Sequence, residues 1–443
     1  MFGSACSLLA VAFSAAIVEA AAGVDGEVAA GRAPVDVLGP EQDSVTFTLV
    51  PGVGLQLRSG STSLTLTYTP RVFYRLPNPL SFNRPLLLHQ IALGHETKLD
   101  SMTSWTNGAE LSVGELDYTA ASLVFDPAVS SVRASLVDVL RAEAFTRASL
   151  KLTRRLDFST ELSADYTTSL DSTPSAPSSD PAAPMPDPAA PVLNSGDAVP
   201  ESASVSLDAS LGYSLGRFDR VSTNVDVTYQ YFADGGRFLL VSPALSWDSQ
   251  LSRRTSLGVS GGVAYVLTLE DARGNSTDSA FGGTGSAELG SELYKSGQMS
   301  VSSRVNASLE WFFDPILGTS QPRAGADLGL NLELGRQWFI GPNASFYTVL
   351  RAAGASLVDP MGMDAVDPAA VILPDATTLR AELPFRYTPW PTFSITWGGR
   401  AALRGRALTQ DGFRLNEQVE LWAFLGLTLR FGTGSNDASW LSM

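Results

Sequence analysis

His89 and His95 are the only two histidines in the 443-residue chain, and they stand six positions apart in LLLHQIALGHETK. If that stretch is a strand, alternation puts both on one face with Ile91 and Leu93. As a metal pair they lack a nearby thiolate, because the single cysteine is Cys6, and their spacing is too long for adjacent positions on one face. The same run carries His95-Glu96-Thr97, with Asn107 on the next candidate strand. A base, a hydroxyl and an amide become nucleophilic machinery only where they converge. DARGNSTD (271–278) has the oxygens of a calcium loop without its ligand spacing, and reads as a solvated loop. FGGTGSAELG (281–290) has no βαβ context that would make it a phosphate loop. It reads as a strand whose small residues permit curvature or close approach. No constellation supports catalysis, and none calls for a metal or cofactor.

The charged residues offer more. Arg351, Arg380, Arg386, Arg400 and Arg404 fall on three consecutive candidate strands, and Glu288, Glu292, Arg304, Glu310, Asp327 and Glu333 lie on the strands before them. Facing bands of opposite charge would set a transverse field across a pore. A salt-bridge network filling a closed lumen is the competing reading.

Those residues need elements to hold them, and one pattern supplies these throughout. In SVSLDASLGYSLGRFDRVSTNVDVTYQYF (204–232) every second residue from Val205 to Leu215 is apolar or Ala, and the alternation restarts at Val221. Such a hairpin has one apolar and one polar face. The pattern recurs about eighteen times between residues 24 and 431, beginning with a weaker run at Val24–Arg32; sixteen strands is the alternative count. Most runs reach 12–15 residues, against about 5–6 in soluble sheets. Tilted strands of ~9–11 residues plus interfacial margins cross a bilayer. Short Arg-marked turns such as Gly216-Arg217-Phe218-Asp219 alternate with long links at 76–85, 115–139, 171–201, 270–279, 314–322, 352–375 and 406–414. Turns sorted this way indicate an up-and-down antiparallel membrane barrel. Parity assigns the charged set to the lumen, including Glu161, Asp165, Asp208 and Asp226, and the apolar set to lipid. Aromatics on the lipid parity, among them Tyr213, Trp247, Trp311, Trp338 and Tyr387, form interfacial girdles.

Bulk composition agrees. A net charge of −15 with three lysines argues against nucleic acid as a partner. Leu8–Val18 followed by Glu19-Ala20-Ala21-Ala22 reads as a signal peptide over 1–22, cleaved after about Ala20 or Ala22. The barrel then occupies 23–431, with a tail at 432–443. The Pro/Asp-rich insert 171–201 cannot form a core and reads as an external loop. The link 115–139 is apolar enough to fold inward as a constriction or plug.

The last run, VELWAFLGLTLRF, resembles the C-terminal signal by which outer-membrane barrels are recognised for insertion, although Gly432–Met443 follow it here. The tandem hairpins, Arg-marked turns and Ser/Thr/Gly-rich lumen resemble the porin-like outer-membrane barrels of Gram-negative bacteria. SVGELDYTAASL and LSRRTSLGVSGGVAY resemble uncharacterised barrels of myxobacteria. The resemblance implies passive diffusion of small hydrophilic solutes, with outer-membrane lipid, lipopolysaccharide and the barrel-assembly machinery as partners. A non-conducting, plugged barrel serving as surface scaffold, adhesin or export-complex partner is the alternative, and the oligomeric state stays open. His95, Thr97 and Asn107 resemble the lipid-facing His-x-Ser and Asn of outer-membrane phospholipases, with Thr in place of Ser.

A barrel of this kind migrates faster unheated than boiled on a detergent gel and shows a β-only circular dichroism spectrum. Recovery as a detergent-free soluble protein would overturn the assignment.

Overall fold

The computed structural model of the chain describes residues 17–34, 41–77, 85–117, 136–170, 201–233, 236–271, 278–314, 319–350, 377–405 and 418–432. Among them the regular elements are all strands. In chain order they begin with β1 (Ile17–Pro34), β2 (Glu41–Ser59), β3 (Thr62–Tyr68), β4 (Arg71–Leu76), β5 (Leu86–Lys98), β6 (Thr103–Asp117) and β7 (Leu136–Lys151). There follow β8 (Leu156–Ser169), β9 (Ser202–Ser214), β10 (Asp219–Phe232), β11 (Gly236–Ser249), β12 (Thr255–Asp271), β13 (Asp278–Ser296) and β14 (Met299–Asp314). The last six are β15 (Thr319–Leu334), β16 (Trp338–Ile340), β17 (Asn343–Val349), β18 (Thr377–Trp390), β19 (Phe393–Gly405) and β20 (Gln418–Gly432).

Each span pairs antiparallel with the next, and β20 returns to β1, where Ala21 stands opposite Gly432. The sheet is closed. β3 and β4 both lie between β2 and β5, and β16 and β17 both lie between β15 and β18, so twenty strands make eighteen spans. Each interruption carries a proline, Pro70 or Pro342, which has no N–H for a ladder. Neighbouring groups bridge both breaks. The Thr69 N–H donates to the Gln90 carbonyl at 2.9 Å, and the Leu330 N–H to the Pro342 carbonyl at 2.9 Å. β1 reaches back to Ile17, within the stretch read as a leader, and pairs there with Arg58 of β2. The cores of the links read as plug and external loop, 118–135 and 171–200, lie outside the described residues, as do Arg351 and residues 433–443.

The hairpin at 204–232 shows how alternation becomes a wall. Ser206 stands opposite Thr228 and Asp208 opposite Asp226, while Leu207 stands opposite Val227 on the other face. Hydroxyls stitch the polar side: Ser206 to Thr228 at 2.8 Å, Ser159 to Ser210 at 2.7 Å, Ser222 to Ser246 at 2.6 Å. The apolar side has no protein cover, so Leu207, Leu211, Leu421 and Leu425 remain 44–56% exposed. A soluble barrel would bury its apolar set inside. Here it forms an outer belt, the arrangement that a bilayer requires. Near the short turns Trp338, Tyr387, Trp397 and Phe385 cluster on this outer face, with Trp338 and Tyr387 ring centroids 4.5 Å apart.

The short turns are built locally. Gly60 and Gly335 adopt φ of +56° and +63°, a region that glycine enters without strain. In the turn before β6 the Met102 and Thr103 N–H groups donate to Asp100. These bonds, that from Met102 foremost, hold the Asp100 carboxyl below its ordinary range.

One aromatic departs from the expected girdle. Trp311 has lipid-facing parity, yet its ring packs with the buried cluster Phe232, Phe238, Leu240, Ala264 and Val266 on the inner side. Parity assumes an unbroken ladder on both edges, and on the β13 side of Trp311 that condition fails.

Closure leaves no room at Gly31. A Cβ there would lie 2.2 Å from the Leu421 carbonyl oxygen and 2.6 Å from the Trp422 ring. Gly31→Val should destabilise the closed barrel by about 1–3 kcal/mol and lower the temperature at which the gel band shifts. Gly26→Ala, whose Cβ would meet only Leu49 Cδ1 at 3.7 Å, should leave that temperature unchanged.

Candidate functional site

The face opposite the belt is the barrel interior, and register places the candidate charges on it in connected rows. Arg400 stands opposite Glu382, Glu382 opposite Asn343, Asn343 opposite Gly329 and Gly329 opposite Arg304. Glu288 follows the same parity two residues from Gly290, which stands opposite Arg304. Arg404 occupies a matching position on β19, opposite Thr378.

The carboxylates of β13–β15 do not form a free band facing the arginines. They are engaged on their own wall. Arg304 pairs with Glu288 at 2.9 Å, Arg323 with Glu310 at 2.6 Å, and Lys295 with Glu292 at 3.0 Å, with Arg254 3.6 Å away. Ser300 donates to Glu333 at 2.9 Å. Asp327 accepts from the Tyr347 hydroxyl at 2.9 Å and from Asn306 at 3.3 Å. Ion pairs between neighbouring strands cancel their own field at a distance, so this sector presents dipoles and little net charge.

On β18 and β19 the arginines are anchored. Arg400 makes a two-pronged contact with Glu27, at 2.7 and 2.9 Å, and donates from Nε to Glu382 at 3.0 Å. Its guanidinium carbon sits 4.2 Å from the Phe424 ring centroid. Arg386 stacks on Phe339 at 4.7 Å, and Arg380 stands opposite Ser345 and Ala402. The Glu27–Arg400–Glu382 contact joins β1, β19 and β18 across the junction where the barrel closes.

The less compensated acids lie elsewhere. Glu161 stands opposite Asp208, and Asp208 opposite Asp226, three carboxylates side by side across β8, β9 and β10. Arg147 pairs with the Glu161 end of that row. A second row places Glu110 opposite Glu143 and Glu143 opposite Asp165, with Arg141 paired to Glu143. Like charges at opposed positions are unfavourable in a sheet, so a polar sheet keeps them only where water or mobile cations screen them. In the order of spans β9 lies half the circumference from β19. Acid on β8–β10 therefore faces arginine on β18 and β19 across the interior.

The outer-face candidates come together only in part. The Asn107 amide lies 3.0 Å from His95 Nδ1, and Trp105 and Thr146 both donate to Asn107 Oδ1 at 2.7 Å. The Thr97 hydroxyl instead shares a 2.7 Å hydrogen bond with Thr62. Base and orienting amide meet, while the hydroxyl is engaged elsewhere. His89 bonds to the Tyr68 hydroxyl at 2.7 Å. Among the described residues no three His, Cys, Asp or Glu side chains gather as a metal site.

Closed, even-stranded, apolar outside and charged within, the chain has one physical setting. It is an outer-membrane β-barrel. A sequence profile of the EpsX exopolysaccharide export family matches residues 194–316, which span β9 to β14. No curated protein matches the chain by sequence. Similar solved folds include OccK2 (OpdF) of Pseudomonas aeruginosa in complex with glucuronate, at 11% identity and TM-score 0.44, covering 94% of this chain and 98% of that one. OpdK of the same organism, an outer membrane protein, gives 9% and 0.43 over 94% and 99%. The FrpB iron transporter of Neisseria meningitidis (F3-3 variant) gives 8% and 0.47 over 92% and 81%. Likenesses this remote carry nothing about what passes through this barrel.

Glu27 is the participant that the sequence reading lacked; Glu161, Asp208 and Asp226 were assigned to the lumen by parity, and register adds that they stand abreast. Glu27 was accessible in principle, since Asp25 and Glu27 alternate with apolar residues in the weak first run. A double-mutant cycle with Glu27→Gln and Arg400→Met should show a coupling of about 1–2 kcal/mol, intermediate between exposed and buried charge-assisted bonds because both side chains are about a third exposed. Additive unfolding free energies in detergent would show that the contact does no work in closure.

Proposed function

We propose that the barrel is an outer-membrane channel for passive diffusion of small hydrophilic solutes, with a modest preference for cations. The observation that carries this reading is the lateral row Glu161, Asp208 and Asp226 on β8–β10, set across the interior from Arg380 and Arg386 of β18, beside an Arg400 already neutralised by Glu27 and Glu382. Eighteen spans leave a bore wide enough for water. Carboxylates left side by side draw cations to one wall, and the arginines draw anionic groups to the other, so a polar solute crosses oriented. The candidate residues Glu288, Glu292, Arg304 and Glu310 line the bore as neutralised pairs, Asp327 and Glu333 as carboxylates held by neutral donors, and Arg404 keeps its register position on β19 opposite Thr378. The acidic links 171–201 and 352–375, which the sequence reads as external, are counted in this proposal as adding to the cation preference. Processing after Ala20 or Ala22 would shorten β1, whose pairing with β2 starts at Ile17 and with β20 at Ala21.

A second reading has its own support. The match to an exopolysaccharide export family over 194–316 favours an export-complex partner, for which the apolar link 115–139 is the plug that the sequence offers.

Planar-bilayer recording of the refolded protein separates the two. A diffusion channel gives steady currents with slight cation selectivity, strongest at low salt, where screening is weakest. The reversal potential should move toward zero in Asp208→Asn/Asp226→Asn. Silent wild-type protein that conducts strongly once 118–135 is deleted would overturn the open-channel reading in favour of the plugged one.

A further inference from the structure

The ladder between β13 and β14 stops short. Pairing runs from Ser296 opposite Met299, beside the short turn, to Gly285 opposite Leu309. Beyond that point β13 remains paired to β12 as far as Asp278 opposite Thr268. β14 remains paired to β15 as far as Asp314 opposite Thr319. The edges of residues 278–284 and 310–314 therefore adjoin with no register between them. This happens about ten residues up β14, near the outer boundary of a span of ~9–11 residues. Unpaired backbone groups are expensive in hydrocarbon and are tolerated where protein or a cavity covers them.

Trp311 occupies the gap. Its backbone stands opposite Pro322 on the lipid-facing parity of β14. A Cβ on Gly282 would nevertheless lie 2.5 Å from Trp311 Cζ2, and Gly282 stands opposite Ala264 on the inner face. A side chain can pass from the outer face of one strand to the inner face of its neighbour only where the ladder between them is missing. The indole thus fills a slot in the wall. Inside the slot lies an apolar shelf of Phe232, Phe238, Leu240, Val266 and Ala280. Outside it Phe281 is 70% exposed, and a Cβ on Gly283 would meet nothing within 4 Å. The Trp311 Nε1–H is buried with no hydrogen-bond partner among the described residues.

We propose that this slot is a side port through which the acyl chain of a membrane lipid reaches the apolar shelf, with Trp311 as its shutter. The shelf is continuous through the slot with the lipid-facing belt, so an alkyl chain remains in apolar surroundings along the whole path. The indole N–H is the one donor in the slot that has no partner among the described residues. That donor suits the ester oxygen at the head of an acyl chain. Gly282, Gly283 and Gly285 keep the β13 edge free of side chains that would close the opening. The port does not depend on whether the central bore conducts.

The test is photolabelling of the full chain, carrying Cys6→Ser, in liposomes of phosphatidylcholine with a diazirine near the end of one acyl chain. Peptide mapping should find label on the shelf at Phe238, Leu240 or Val266, in addition to belt residues such as Leu425 and Leu427. Trp311→Ala should raise shelf labelling several-fold, and Gly283→Phe should suppress it without changing the belt signal. Each variant is scored only from the heat-modifiable, folded gel band, and Gly283→Phe, which leaves Trp311 in place, decides the matter if Trp311→Ala does not fold. Label confined to the belt in wild type and Trp311→Ala, or shelf labelling unaffected by Gly283→Phe, overturns the port.

Discussion

Within a bilayer every backbone N–H and C=O must find its partner inside the protein, because lipid offers none. The rest of this structure follows from that constraint. A sheet satisfies it only by having no edge, so β1 must meet β20, and it does so over twelve register pairs from Ala21–Gly432 to Arg32–Leu421. Closure in turn fixes which face looks outward, and alternation along each strand then sorts side chains between lipid and interior. Departures from the ladder are consequently instructive. At Pro70 and Pro342 nearby carbonyls and amides bridge the break, whereas between β13 and β14 an aromatic ring replaces the missing bonds.

The interior divides by how its charges are handled. β13–β15 engage their acids close by, with bases for Glu288, Glu292 and Glu310 and neutral donors for Asp327 and Glu333, an arrangement that costs little in a wet cavity and whose individual ion pairs contribute little stability. β18, β19 and β1 hold Arg400 between two carboxylates and over Phe424, a rigid placement in which a planar fork outperforms a flexible ammonium. β8–β10 leave carboxylates abreast. That arrangement is unfavourable for pairing strands, and it is the feature on which the proposed passage of polar solutes rests.

Much of this was legible in the sequence because it depends on a local period. The number of spans, the sorting of turns and the face taken by Asp208 or Leu207 all follow from alternation, which needs no knowledge of neighbours. Contacts set by stagger around the barrel were not legible. Glu288 and Arg304 were each readable as inward, but their pairing depends on the register of β13 with β14, which no single strand encodes. Glu27 meeting Arg400 depends on joining residues from opposite ends of the chain. Trp311 illustrates a different limit: parity gave its backbone the correct side, and the absence of a ladder took its ring to the other. His95 and Asn107 met as their positions across β5 and β6 suggested, while Thr97 found a partner in Thr62, on a strand that the hairpin alone does not reveal.

The join between β1 and β20 also governs time. Nearly all other pairings link consecutive spans and can form as hairpins, but this one brings together residues some four hundred positions apart. Loop-closure scaling puts the entropic cost near ~5 kcal/mol beyond its constant part, and contacts so distant in sequence are slow to form. The first strand synthesised must therefore wait for the last, with a row of unpaired amides exposed at each end of an otherwise finished sheet. Such edges are templates for association with other chains. The vulnerable period in the life of this protein is the interval before its two ends meet, and its yield in the membrane will depend on how that interval is guarded.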